Sequence, residues 1–287
     1  MVKRGTLYVL STPIGHLGDF SFRGLEVLRQ VALVAAEDTR RTRRLLGHYE
    51  VLREVVSLHA HSRREDIERL LDRVEAGDDV AYVTDAGTPG ISDPGAAIVA
   101  RARERDLAVV PVPGPSAVIT ALAVAGMPAD RFLFLGFLPR KGGGRKALLA
   151  RIAGEPWPSV CYEAPGRTVA LLRDLAACCG ADRPAAVARE LTKIYEEVRC
   201  GTVGELVQYY EGHAPRGEVT VVVGAAPGAR EDRDAAPPPA PAAADAHEAR
   251  ELIAVLRAEG RAPGAIAKEL AQRLGIARRD AYRLLTE

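Results

Sequence analysis

Long apolar runs are missing from this 287-residue chain. No stretch of about 18 residues is apolar throughout, so no transmembrane helix is expected. A surplus of charge is missing too. The formal net charge is +1, so a polyanion would have to be met by local patches and not by the overall field. Cysteine is scarce. Cys161, Cys178, Cys179 and Cys200 form no C-x-x-C pair. That excludes a disulfide framework and fits thiols in a reducing cytosol, so a cytoplasmic location is expected. His59 and His61 lie two apart without a carboxylate–histidine ligand pattern, and no metal is expected. Aromatics make up 5%, too few for an interleaved basic and aromatic face. The chain also lacks the Gly-rich signatures of common nucleotide binders. The glycine-rich loop at 84–95 lacks the Lys-Ser/Thr ending of a P-loop, and its glycine spacing is not G-x-G-x-x-G, which leans away from ATP and NAD. The basic start, Met1 to Arg4, precedes an apolar run too short for a leader and without a small-residue cleavage site. It reads as the approach to a first strand.

What is present centres on one segment, Thr84-Asp85-Ala86-Gly87-Thr88-Pro89-Gly90-Ile91-Ser92-Asp93-Pro94-Gly95. An apolar strand pattern precedes it and a helical pattern, 96–105, follows. Strand, glycine-rich loop, helix is a layout that binds nucleotide-like ligands at the carboxyl end of a sheet. Glycine permits positive φ and close approach of the backbone, and proline stiffens the turn. A ligand held by backbone groups and carboxylates fits this loop better than a phosphate does.

Strand patterns fall at 6–10, 31–36, 54–58, 79–84, 107–112, 131–136, 158–163, 185–190 and 217–223. Helical patterns, such as 22–29, 63–75, 116–125, 168–177 and 203–210, fill most gaps. The alternation predicts α/β architecture, largely parallel in the first half, with shorter crossovers and mixed pairing in the second. Three prolines within 111–115 mark a boundary, giving α/β domains at 1–113 and 114–224. Residues 225–246 hold ten alanines and five prolines, which predicts a linker. Helical stretches at 247–258, 263–274 and 277–285, with Gly260 and Gly275 in the breaks, predict a small all-α, helix-turn-helix-like module at 247–287. Its eight Arg and Lys against six Asp and Glu suit modest contact with nucleic acid, or simple packing as an appendage.

Five further loops share the first one's character: 11–19, 37–42, 113–117, 136–145 and 162–167. Loops rich in Gly, Pro and charge at strand ends point to one composite cleft. Candidate ligand contacts are Pro13, Asp85, Gly87, Ile91, Ser116 and Ala117 in these turns, with Leu10, Tyr162 and Leu191 at the adjoining strand ends. The Ser116 hydroxyl is placed to cap the helix it opens, and its N–H to hold a carboxylate. Asp85 is placed to accept from an amino group or a hydroxyl, or simply to bond nearby backbone. Arg40 sits in a basic helical run that also reads as a solvated face. Arg140, Lys141, Arg145 and Lys146 surround a triple glycine, which predicts a mobile basic loop suited to phosphates. Phe132 and Phe134 read as strand residues and Phe137 as reaching the cleft.

Six motifs in order then carry a resemblance. They are Thr12-Pro13-Ile14-Gly15; Glu37-Asp38-Thr39-Arg40; Asp85 to Pro89 with Ile91 to Gly95; Pro113 to Ala117; Gly136 to Lys141; and Arg189-Glu190-Leu191-Thr192-Lys193. The chain resembles the ribosomal RNA small subunit methyltransferase I family of the tetrapyrrole methylase superfamily. His16, Ala164 and Gly166 depart from the usual residues of that family. The resemblance implies two α/β domains with S-adenosylmethionine in the cleft between them, and a homodimer. It implies methyl transfer to the ribose 2′-hydroxyl of a cytidine in the decoding region of 16S rRNA. In-line positioning and removal of the hydroxyl proton, or a cation near the alkoxide, are the main demands of that chemistry. Lys193, Glu163 and Asp19, in strand-end segments, are the candidate catalytic groups. Lys193 also suits phosphate contact, and Glu163 suits pairing with Arg167. Two other readings stay open: a methylase of a small tetrapyrrole precursor, and a non-catalytic RNA-binding or assembly protein on the same scaffold.

Overall fold

All nine apolar runs form strands, and a tenth strand joins them. The structure, a computed structural model, describes residues 4–59, 62–91, 95–228, 246–259, 261–273 and 281. The first half runs β1 (Thr6–Leu10), α1 (Phe22–Gln30), β2 (Leu33–Ala36), α2 (Thr39–His48), β3 (Glu54–Ser57), α3 (Arg64–Glu75), β4 (Val80–Val83), α4 (Gly95–Glu104) and β5 (Ala108–Val112). The second half runs α5 (Ala117–Val124), β6 (Leu133–Phe137), α6 (Gly143–Gly154), β7 (Ser159–Glu163), α7 (Thr168–Cys179), β8 (Pro184–Arg189), β9 (Glu197–Thr202), α8 (Val203–Gly212) and β10 (Val219–Val223).

The first sheet has the order β3-β2-β4-β1-β5, and all its pairs are parallel. Its inner strands β2 and β4 are buried on both faces because helices cover both. Leu33, Ala35, Val80 and Tyr82 join one core cluster, while Val34, Ala36, Ala81 and Val83 join another. Side-chain caps hold the helix starts. The Ser21 hydroxyl accepts from Gly24 N–H at α1, and Asp38 accepts from Arg40 N–H at α2.

The second sheet has the order β6-β7-β10-β8-β9 and is mixed. Only β6 and β7 pair in parallel; β10 lies antiparallel between β7 and β8, and β9 is antiparallel to β8. Helices α6, α7 and α8 cover one face through Ile152, Leu171, Leu172 and Leu206. Helix α5 covers the other through Val118, Ala121 and Leu122, and Ile14 from the loop after β1 enters the same cluster. The chain changes sheets between β5 and α5, yet residues 1–226 form one compact unit.

Two expectations need correction. Strand β9 has no sequence signal, because Glu-Val-Arg-Cys-Gly-Thr is a half-exposed edge strand without an apolar run. The stretch predicted as a mobile basic loop is cut short, since α6 begins at Gly143 behind Gly142 at φ +91.

Residues 227–287 form a second unit. Within it α9 (Ala246–Ala258) and α10 (Pro263–Arg273) bury Ile253, Leu256, Ile266 and Leu270 together with Ala281. Residues 229–245 of the predicted linker, the breaks at Gly260 and Gly275, and the predicted third helix apart from Ala281 lie outside the described residues. No helix among the described residues is long and apolar enough to cross a membrane.

Leu171 on α7 is fully buried in the second sheet's core. Leu171→Ala is expected to lower unfolding stability by about 2–5 kcal/mol, read from denaturant midpoints.

Candidate active site

Parallel pairing puts the loops after β1, β2 and β4, and the turn after β5, on one edge of the first sheet. They are tied to one another. Thr12 and Gly87 exchange two backbone hydrogen bonds, at 2.9 and 3.0 Å, with Gly87 at φ +84. The Thr12 hydroxyl donates to the Thr84 carbonyl, and the Thr88 hydroxyl to the Pro115 carbonyl. Asp85 Oδ1 accepts from Asp38 N–H at 2.9 Å, and its other oxygen lies 3.6 Å from Arg41. The Asp85 carboxylate therefore braces the loop after β2 as well as facing the cleft.

The matching edge of the second sheet is built differently. Antiparallel pairing aligns Val219, the first residue of β10, with Glu163 and Arg189, the last residues of β7 and β8. The cleft wall thus contains the approach to a strand, Gly217-Glu218, beside the exits of two others. Both edges meet where the loop after β1 packs on the loop after β8. His16 N–H donates to Thr192 Oγ1 at 2.9 Å, and a Cβ on Gly15 would come within 2.6 Å of Lys193 Cγ.

Two adjoining cavities open here. One, about 440 Å³, has Ile14, Gly87, Ile91, Ser116, Ala117 and Tyr162 in its lining, together with Phe137. The other, about 430 Å³, is more basic and includes Pro13, Leu17, Arg41, Arg44 and Lys193. Ile14, Arg41, Thr84, Asp85, Ala86 and Glu218 line both. Phe137 follows a register shift at Gly136, φ +61. Its ring lies 5.4 Å from that of Tyr162, half-exposed at the first cavity.

Most of the sequence candidates converge on this cleft. Asp85, Gly87, Ile91, Ser116, Ala117 and Tyr162 line the first cavity and Pro13 the second. Leu10 and Leu191 are buried behind the lining, in core clusters. Ser116 opens α5, but its hydroxyl makes no capping bond, which corrects the capping expectation. Arg41, from the same basic run as Arg40, lines both cavities. Glu37 and Glu218 are not among the expected site residues; Glu37 stands in the Glu37-Asp38-Thr39-Arg40 motif, and Glu218 carries no sequence signal.

The catalytic candidates separate. Lys193 faces the second cavity and donates to Glu190 Oε1 at 2.8 Å and Glu218 Oε2 at 3.0 Å. Burial pulls its pKa down, but the hydrogen bonds and charges of those two carboxylates outweigh this and leave it above the ordinary lysine value. It is a cation and not a base. Glu163 adjoins the first cavity, but its side chain is fully buried and paired with Arg167. Its Oε2 has no hydrogen-bond partner and lies 4.0 Å from Arg145. Asp19 is not brought in. It is exposed in the single turn Leu17–Asp19 and lines neither cavity.

The basic candidates separate as well. Arg140, Lys141 and Lys146 are exposed. Arg40 is exposed and held by a two-pronged pair to Asp38. Arg145 turns inward: its side chain is 12% exposed and pairs with Asp174 at 2.6 Å. It also donates to the Pro139 carbonyl. Helix α6 starts early enough to aim it at α7, so it braces the fold and is not free for a phosphate. No group of three or more His, Cys, Asp or Glu among the described residues is placed to hold a metal.

Residues 6–207 match the family described as Tetrapyrrole (Corrin/Porphyrin) Methylases. A protein of Synechocystis sp. named ribosomal RNA small subunit methyltransferase I is 40% identical over 284 residues, covering 99% of this chain and 98% of that one. A protein of the same name from Xylella fastidiosa is 43% identical over 285 residues, covering 98% and 99%. The chain belongs to the ribosomal RNA small subunit methyltransferase I family. Solved structures share the fold of this family's superfamily. A cobalt precorrin-4 methyltransferase gives a TM-score of 0.60 at 19% identity, covering 76% of this chain and 94% of that one. A uroporphyrin-III C-methyltransferase from Thermus thermophilus gives 0.56 at 20%, with the same coverage.

In this family member, Arg145 and its exposed neighbours should behave oppositely. Arg145→Ala removes the bonds to Asp174 and the Pro139 carbonyl and the second guanidinium beside Glu163, which keeps Arg167, and is expected to cost about 1–3 kcal/mol of unfolding stability. Arg140→Ala should leave the denaturation curve in place.

Proposed function

We propose that this protein is an S-adenosylmethionine-dependent methyltransferase that modifies the ribose 2′-hydroxyl of a cytidine in the decoding region of 16S rRNA, acting in the cytoplasm as a homodimer. The observation that carries the reading is the pair of cavities with a shared wall, in a chain whose full-length relatives are named for small-subunit rRNA methylation.

The residues of the first cavity suit the cofactor. Its volume falls in the range of about 300–1,000 Å³ usual for small-molecule sites. Its lining is mainly apolar and backbone, with carboxylates at Glu37 and Asp85 that favour a cation. The Ser116 hydroxyl is uncommitted, and the start of α5 presents backbone N–H groups suited to a carboxylate. Asp85, Gly87, Ile91, Ser116, Ala117 and Tyr162 would hold the cofactor there, with Pro13 at the join. The bound sulfonium supplies the methyl group and its own leaving group, so the protein's tasks are alignment and management of one proton.

The second cavity suits the nucleotide. Arg41, Arg44 and Lys193 stand in its wall, and the Lys193 ammonium would stabilise developing negative charge on a ribose oxygen. The exposed groups Arg40, Arg140, Lys141 and Lys146 would hold flanking phosphates, which contribute affinity without reading sequence. A small tetrapyrrole would make no use of them.

Methyl transfer from labelled S-adenosylmethionine to small-subunit particles, followed by nucleoside analysis, tests the reading. 2′-O-methylcytidine is the expected product. Label on a base, or none on rRNA, would overturn it. Replacing Arg140, Lys141 and Lys146 together with alanine should flatten the salt dependence of RNA binding, by up to about 0.9 in log–log slope per lost contact. Cofactor affinity should be unchanged in that variant.

A further inference from the structure

Four carboxylates line the two cavities among the described residues: Glu37, Asp85, Glu163 and Glu218. Glu37 and Asp85 are the carboxylates proposed above to favour the cofactor's cation, and Glu163 is enclosed. Glu37 accepts from the Thr84 hydroxyl. Asp85 braces Asp38 N–H and faces Arg41. Glu163 is sealed between arginines with no exposed side-chain surface. Glu218 differs. It lines both cavities, its side chain is 69% exposed, and among the described residues its ion pair is with Lys193.

Its mounting is rigid although its carboxylate is accessible. Glu218 N–H donates to Glu190 Oε1 at 3.0 Å, and Glu190 N–H donates back to the Glu218 carbonyl at 2.9 Å. Glu190 sits at φ +50 and Thr192 at φ +65, a left-handed conformation that costs a side-chain-bearing residue and tends to persist at functional sites. Gly217, at φ +77, packs so closely on the Glu190 carboxylate that a Cβ there would overlap it. Two strained residues and a glycine contact thus fix Glu190, which fixes both Lys193 and Glu218.

We propose that Glu218 is the proton acceptor for methyl transfer, with Lys193 and Glu190 as the residues that position it. This rests on the function proposed above. A Glu218 oxygen takes the proton of the attacking ribose hydroxyl. The hydroxyl oxygen forms the new bond to the methyl carbon. The bond from that carbon to sulfur breaks, and its electron pair stays on sulfur as a neutral thioether. One carboxylate and one sulfonium charge disappear together. The Lys193 ammonium steadies the oxygen as it loses its proton and keeps the Glu218 carboxylate turned toward the cavity wall.

Glu218→Gln keeps the shape and removes the basic oxygen. The expected result is a fall in kcat on small-subunit particles of about 10²–10⁴-fold, the usual contribution of a general base. The KM for particles and the calorimetric affinity for S-adenosylmethionine should stay at wild-type values, and Glu218→Asp should recover part of the lost kcat. Wild-type kcat in Glu218→Gln overturns the assignment. So does a loss confined to KM or to cofactor affinity, since that marks a binding group. If the wild type forms no ribose methylation beside it, the proposed function falls and this assignment with it. An active wild type with an active Glu218→Gln removes only the role of Glu218.

Discussion

Gly15 has no side chain, and the cleft depends on that. A Cβ at this position would lie 2.6 Å from both Thr192 Oγ1 and Lys193 Cγ and 3.0 Å from the Leu191 carbonyl. The loop after β1 is therefore pressed directly onto the loop after β8, and His16 N–H completes the contact at Thr192 Oγ1. This junction is where a parallel sheet and a mixed sheet meet edge to edge. Ile14, one residue earlier, lines both cavities and enters the core cluster under α5. Opening the junction by the width of one methyl group would part the two walls and draw Lys193 away from Arg41 and Asp85 in the opposite wall of the second cavity.

That close fit explains why strain is tolerated beside it. Positive φ at Glu190 and Thr192 costs of order 1–3 kcal/mol each. The surroundings over-determine the loop. Glu190 is held by Glu218 N–H and Lys193, and Thr192 by His16 and Glu196. Hydrogen bonds from Lys193 and Glu218 N–H hold the Glu190 carboxyl below its ordinary value, overriding its burial. Its charged form therefore favours the folded state. Protonating it as the pH falls through the folded-state value removes that support, so the loop loses one anchor in acid and keeps it at neutral pH.

Much of this was legible in the sequence because parallel α/β chains advertise themselves. Apolar strands alternate with helical patterns, and the loops at their exits carry Gly, Pro and charge. All nine apolar runs became strands, and most of the candidate residues in those loops reached the cleft. The misses share a cause. Place at a strand exit and composition reveal neither pairing direction nor burial. Arg145 stands in a glycine-rich basic stretch that looks mobile, but α6 starts at Gly143 and buries it against Asp174. Asp19 belongs to a strand-exit loop, but that loop has already turned out to solvent by then. Strand β9 pairs on one side only and so never needed an apolar run.

Glu218 is the most instructive omission, because topology alone puts it in the cleft. In an all-parallel sheet every approach to a strand lies on the edge away from the site. Here β10 runs antiparallel between β7 and β8, so its approach lies among their exits. A residue one step before a central strand is held far more firmly than one in a connecting loop. Its backbone N–H and carbonyl are both bonded to Glu190, and its successor, Val219, is buried. The parallel sheet supplies loops, cross-braced by hydrogen bonds, that line the small-molecule side of the cleft. The mixed sheet supplies fixed points against them. A proton-transfer group gains from being fixed, because a charge already in place needs no reorganisation when the reaction begins. The antiparallel insertion of β10 is thus the feature that brings the approach to a central strand to the same edge as the strand exits.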